Sequence, residues 1–325
     1  MANYESPIRQ LYDKIMLSFD SSSIAMSSRL LDLLNDGKLD HQTFIDPSHV
    51  PLKTPCANPL TRQIELHEPH LSYIWSLTYT IISIVLINDE KARKGQTIVA
   101  IHESPEWEEL KALFGWALTL DEEYSEWPMN VANPLHQTLQ VQQANQLSVD
   151  AVRYLMYHEV AHLANGHDTY QDLYRKAKVN GELTREEADT LKLLETEADN
   201  YAFDCLFLTT DTTDEQYLKL LGAVIAHLSS FFLLNRPTTN LLTHPDADVR
   251  LFNLINKVRL DSELHDTYII HTVNVGLQFY LRLKGVSFLS DAVYDTFEEL
   301  ASALFKLIDD ERIKRNLNST MRSYI

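Results

Sequence analysis

Only two cysteines, Cys56 and Cys205, occur in the 325 residues. They are too few and too far apart for a disulfide framework or a thiolate zinc site, so a reducing cytoplasmic setting is expected. Glycine is equally scarce, at 8, and together with long periodic apolar segments this points to a mostly helical chain. Basic residues are outnumbered: 28 Lys and Arg against 46 Asp and Glu leave a net charge of −18. Phosphate contacts need clustered Lys and Arg, so the balance argues against nucleic acid as a partner. The N-terminal run Met-Ala-Asn-Tyr-Glu-Ser-Pro has neither a basic n-region nor an apolar h-region, and no secretory signal is expected. Internal repeats and low-complexity linkers are absent as well.

A long apolar run is also missing. The nearest approach, Leu71 to Ile87, is uncharged over 17 residues but carries Ser72, Tyr73, Ser76, Thr78, Tyr79, Thr80 and Ser83. That is the short, polar limit for a membrane span, so a buried core helix is the expectation and contact with a membrane is not.

What the chain does have is Tyr157-His-Glu-Val-Ala-His162, an HExxH pattern. Residues four apart lie on one helical face, so His158 and His162 can reach one zinc ion at about 2.0–2.1 Å. Glu159 can then act as general base on a water that zinc acidifies. Ser148 and Asp150 suggest a helix start, Gly166 an end. Ala151, Val152, Leu155, His158, Glu159 and His162 would share its inward stripe.

A catalytic zinc takes three protein ligands and keeps one position open, so a third ligand must come from elsewhere. The metzincin spacing would select Asp168, but Asn165 stands where that pattern has Gly. The gluzincin solution is a Glu on a second helix with an Asp four residues later, and Glu195-Thr-Glu-Ala-Asp199 supplies it. Thr184-Arg-Glu-Glu187 is a capping box that would start that helix. Ala188, Leu191, Glu195, Ala198, Asp199, Ala202 and Leu206 then form one stripe, with Glu186, Thr190, Glu197 and Asp204 on the wet side. Glu195 is expected as the ligand and Glu197 as a bystander. Asp199 could fix the tautomer of His158 from behind.

These motifs, with Thr243-His-Pro245 and Arg250, resemble the gluzincin clan, whose membrane members also carry a His-Pro pair followed by Arg. A closer similarity is to the phage-exclusion (Lit-type) zinc peptidases. Leu71-Ser-Tyr-Ile-Trp75, Glu126-Trp-Pro128, the HExxH run with His167, Glu195 to Asp199 and Thr243 to Pro245 come in the order of that family, across roughly residues 70 to 255. The resemblance implies a cytoplasmic zinc endopeptidase that cuts a specific protein, a host translation elongation factor, when a phage-derived activator is present. The chain departs from that family in a longer stretch from His167 to Thr184 and in the N-terminal region. Gluzincins often supply a late histidine to the developing oxyanion, a role open to His244, which is otherwise a loop histidine before a proline. His167 is about 140° around the helix from His162 and is read as a loop-side polar residue; Tyr157 and Tyr201 are read as packing residues. Two other readings stay open: a zinc-binding sensor or interaction module without turnover, and a membrane-associated quality-control metalloprotease.

The expected fold class is α+β, mostly helical, with a zincin-like metallopeptidase core, a small sheet and an additional C-terminal helical layer. An N-terminal helical region and loop (1–68), the core (69–250) and a C-terminal region (251–325) would pack as one unit. Residues 1 to 40 read as helical with a stop at Asn35-Asp-Gly37, followed by a proline-punctuated stretch from Asp46 to Pro59. Leu60 to Leu66 and Thr97 to His102 could pair as strands of a sheet that receives an extended substrate at its edge. Glu103 to Leu118, Leu251 to Val258, Val273 to Leu283 and Asp291 to Asp309 read as helices, and Trp127 to Pro134 as loop.

Overall fold

The computed structural model describes residues 5–40, 43–95, 105–167, 183–208, 211–233, 247–258, 260–286 and 294–322. Among these are ten α-helices and one three-stranded sheet, a mostly helical α+β architecture. A 310 turn (Pro7–Leu11) leads into α1 (Tyr12–Asp20) and α2 (Ile24–Asn35). Gly37, at φ +66°, makes the left-handed stop anticipated after Asn35. Leu30 and Leu33 face the core, while Ile24 and Leu31 are exposed.

The sheet combines β1 (Phe44–Asp46), β2 (Cys56–Asn58) and β3 (Gln63–His67) in the order β1-β3-β2. β1 runs parallel to β3, with Phe44 opposite Glu65, and β2 antiparallel, with Cys56 also opposite Glu65. Leu60 lies in a turn and not in a strand. β2 thus comes from the proline-punctuated stretch and β1 ends where that stretch begins, at Asp46, so the prolines sit beside the short strands and interrupt no ladder. Thr97 to His102, expected as a strand, lies outside the described residues.

Two long helices form the centre. α3 (Glu68–Arg93) has 83% of its most apolar window buried inside the protein. It extends beyond the expected Leu71–Ile87 at both ends. α4 (Trp107–Thr119) covers it. α5 (Leu139–Ala164) starts well before Ser148: Thr138 is its N-cap, accepting from the N–H of Val141. The periodic buried positions continue upstream through Val141 and Ala144, and Ser148 is tolerated in mid-helix because its hydroxyl donates to the carbonyl of Ala144. Trp75 of α3 donates its indole N–H to Asn145 of α5 at 2.6 Å, and its ring meets Trp127 edge-on at 5.4 Å. Trp127 itself lies in an irregular stretch, as expected.

α6 (Arg185–Leu206) opens on the expected capping box, with the side chains of Thr184 and Glu187 bonded to each other's backbone N–H groups. α7 (Thr213–Leu233), for which the sequence raised no expectation, packs along α5 in the most extensive helix pairing among the described residues. Gly222 permits that approach: a Cβ there would lie 2.6 Å from the Cβ of Asp150. α7, like α3, is long and apolar enough to cross a membrane, but 67% of its window is buried inside the protein. α8 (Ala247–Lys257), α9 (Glu263–Leu283) and α10 (Phe297–Arg322) follow. One cluster of buried apolar side chains runs from Ile8 to Ile308.

Candidate metal centre

α5 and α6 lie side by side and bring three donors to one point. His158 and His162 occupy successive turns of α5, both buried, their rings edge to face at 5.1 Å. Nε2 of His158 lies 3.4 Å from Oε2 of Glu195, and Nε2 of His162 lies 3.7 Å from Oε1 of the same carboxylate. The whole apolar stripe read from the sequence of α6 is buried, Glu195 included at 1% exposure. The three ligating atoms fall within 4.8 Å of one another.

Asp199, one turn after Glu195, stands behind His158, with its Oδ1 3.0 Å from Nδ1 of the ring. Arg250 of α8 grips Asp199 through two bonds, Nε to Oδ2 at 2.7 Å and Nη2 to Oδ1 at 2.6 Å, and places Nη1 3.7 Å from Glu195. Burial would raise the Asp199 pKa, but the Arg250 charge and the His158 bond hold it well below the carboxylate range. Tyr154 adds a hydroxyl that donates toward the Asp199 carbonyl at 3.4 Å and meets Nε2 of His227, on α7, at 3.1 Å. Burial keeps His227 neutral, with its pKa down at about 3.

Glu159 points from the other flank of α5 toward the sheet. Its Oε2 accepts from the N–H of Ala57 on β2 at 2.8 Å. Burial, opposed by His158 and reinforced by Glu195, pushes its pKa up to about 7. A carboxylate poised there can take and return a proton near neutral pH.

The donor set suits a cation. A carboxylate accepting at Nδ1 leaves the Nε2 lone pair of His158 aimed at a second carboxylate, so acceptor faces acceptor unless positive charge lies between. Burial works against a charged His158, yet the bonds to Asp199 and Glu195 outweigh it and raise the pKa to about 10. The pocket therefore draws a proton when nothing else is there. One divalent ion would satisfy both imidazoles and the carboxylate together.

Other expectations fare differently. His244, and Asp168 of the metzincin alternative, lie outside the described residues. Tyr157 is a buried packing residue whose hydroxyl donates to the Phe19 carbonyl at 3.1 Å, and Tyr201 lies under the Arg29 guanidinium at 4.1 Å. His167 does not point away as the helical-wheel angle implied. Gly166, at φ +67°, reverses the chain, so the N–H of His167 reaches the His162 carbonyl and its ring returns to His162 with Nδ1 atoms 2.9 Å apart. Nor is Glu197 idle, since its Oε2 meets Nε2 of His167 at 3.2 Å. Gly directly before a histidine at a helix end was the signal for that return. Nothing local in the sequence announced the Arg250 clamp or the Ala57 bond.

No curated protein and no solved structure matches the chain. Residues 64–270 match the sequence model of the family Peptidase U49, an interval that starts within β3 and includes both helices of the candidate metal centre and Arg250. On that match over more than half its length, the chain belongs to the peptidase U49 family.

Proposed function

We propose that this peptidase is a zinc-dependent endopeptidase in which His158, His162 and Glu195 hold the ion and Glu159 moves the proton. The reading rests on one observation: the two HExxH imidazoles and Glu195 converge as a buried three-donor set, with the Glu159 carboxylate on the adjoining flank of the same helix. Bound zinc supplies Lewis-acid polarisation of a peptide carbonyl and acidifies water. Glu159 accepts the water's proton at its carboxylate and delivers it to the departing amine. Asp199 holds the His158 ring with Nε2 toward the ion, and Arg250 keeps Asp199 charged. Among the described residues β2 lies at the edge of the sheet, where an extended peptide can add next to Glu159. In zincin-like terms this is the gluzincin arrangement, with Glu195 as the helical third ligand.

The resemblance to phage-exclusion peptidases supports a cytoplasmic target, a translation elongation factor, cut when a phage component is present. The test compares cells carrying the wild-type protein or the Glu159→Gln variant, infected and uninfected, by mapping new protein N-termini. One new terminus that requires both infection and Glu159 is expected. A terminus that persists in the Glu159→Gln variant would assign the cleavage to another protease, and no new terminus at all would favour a metal-binding sensor.

A further inference from the structure

His162 is bracketed by Glu195 of α6 and by His167, which in turn meets Glu197, two positions beyond Glu195 on the same helix. Glu195 faces its Nε2 at 3.7 Å, and on the opposite side of the ring its Nδ1 meets Nδ1 of His167 at 2.9 Å. His167 then reaches Glu197, Nε2 to Oε2, at 3.2 Å. The His167 side chain is 3% exposed and the Glu197 side chain 50%, so the three groups run in line from the metal site to the surface.

We infer that His167 and Glu197 are positioning residues that set the metal-binding face of His162, an inference that rests on the metal-site reading above. The logic follows from which atoms can donate. A carboxylate only accepts, so Nε2 of His167 carries the proton and donates to Glu197. In a neutral ring Nδ1 of His167 is then an acceptor, and it can only take a hydrogen bond from Nδ1 of His162. That leaves the Nε2 lone pair of His162 directed at the ion. The opposite tautomer of either ring would set two lone pairs, or two N–H groups, against each other at 2.9 Å inside the protein. His158 obtains the same result directly from Asp199, whereas His162 obtains it through a second ring. The reversal at Gly166 is what makes this possible, because it folds His167 onto the turn it has just left.

The experiment measures zinc affinity by competition with a chelating dye on the full chain, well below the unfolding temperature of each variant. His167→Phe keeps a ring of similar shape but no acceptor, and His167→Asn restores an acceptor near the Nδ1 position. The Phe variant is expected to bind zinc about 10- to 100-fold more weakly than wild type, with a changed visible spectrum when cobalt replaces zinc. The Asn variant should recover most of the loss. Glu197→Ala should weaken binding less than His167→Phe, since water can accept in its place. His158→Ala serves as the control for the metal site itself.

Zinc held by His167→Phe as tightly as by wild type overturns the inference. So does an Asn variant as weak as Phe, which would make His167 a packing group. Wild-type affinity in Glu197→Ala overturns the outer link. If wild type and His158→Ala take up zinc equally, the metal-site reading fails and this inference falls with it, an outcome distinct from tight, His158-dependent binding that ignores His167.

Discussion

The N–H of Ala57, on β2, donates to Oε2 of Glu159, the acidic residue of the HExxH helix, at 2.8 Å. This bond ties the sheet to the carboxylate proposed above to move the proton, and fixes one of its oxygens. The other oxygen is then the one available to a water or a leaving group.

Replacing Glu159 by Gln should therefore separate binding from turnover. The amide keeps the size and an acceptor for Ala57 but cannot take a proton, so cleavage should fall by about 10²–10⁴-fold. Zinc content, measured by atomic absorption on the purified protein, should be unchanged. Loss of zinc on this substitution would assign Glu159 a structural role.

Removing the metal should destabilise the protein. An ion that binds only the folded chain adds about 2.7 kcal/mol when free metal stands at about 100 times its Kd. Thermal unfolding should accordingly shift down on chelation in the wild type and not in a Glu195→Ala variant. Equal shifts in both would separate any bound metal from Glu195.

Arg250→Met should cost about 3–5 kcal/mol in the metal-free protein, because it strips the guanidinium from a buried carboxylate at Asp199. Urea unfolding reads this directly. The cost should shrink when zinc is bound, since the ion then offsets part of the same negative charge. An equal cost in both forms would show that Arg250 does not share a field with the metal site.

His70 is expected to make stability fall in mild acid. It is fully buried, and burial lowers its pKa from 6.5 to about 3. The folded state thus keeps the neutral ring while the unfolded chain binds a proton, so the contribution is full above pH 6.5 and declines as pH drops toward 3. Each pH unit in that window costs about 1.4 kcal/mol. Between about pH 7 and about pH 5 the wild type should lose about 2 kcal/mol more than His70→Phe by urea unfolding. Parallel losses would place the acid sensitivity elsewhere.

Gly222→Ala should destabilise by about 1–3 kcal/mol through overpacking. The added methyl would meet the Cβ of Asp150 at 2.6 Å and its backbone carbon at 3.1 Å, neither of which is a flexible side-chain end. A neutral result in chemical denaturation would mean that α7 can slide on α5.

Much of the site was legible because its information is local. Helical spacing alone puts His158 and His162 on one face, and in the helix that the Thr184 capping box opens, the apolar stripe from Ala188 to Leu206 turns Glu195 and Asp199 inward. Where periodicity was read too narrowly, at Ser148, a mid-helix hydroxyl bonded to Ala144 mimicked a cap. The strands beside β3 were missed because three residues are too short for a period of two to register.

By itself the sequence determined the donor types, their helical phase and the burial of α3, since each depends on residues within a turn or two of one another. Only the tertiary structure decided that Arg250 grips Asp199 across 51 positions, that Ala57 reaches Glu159 across 102, and that α7 lies along α5. Such contacts arise from how helices pack and how backbone groups find partners once water is excluded, and no local pattern encodes a partner that distant.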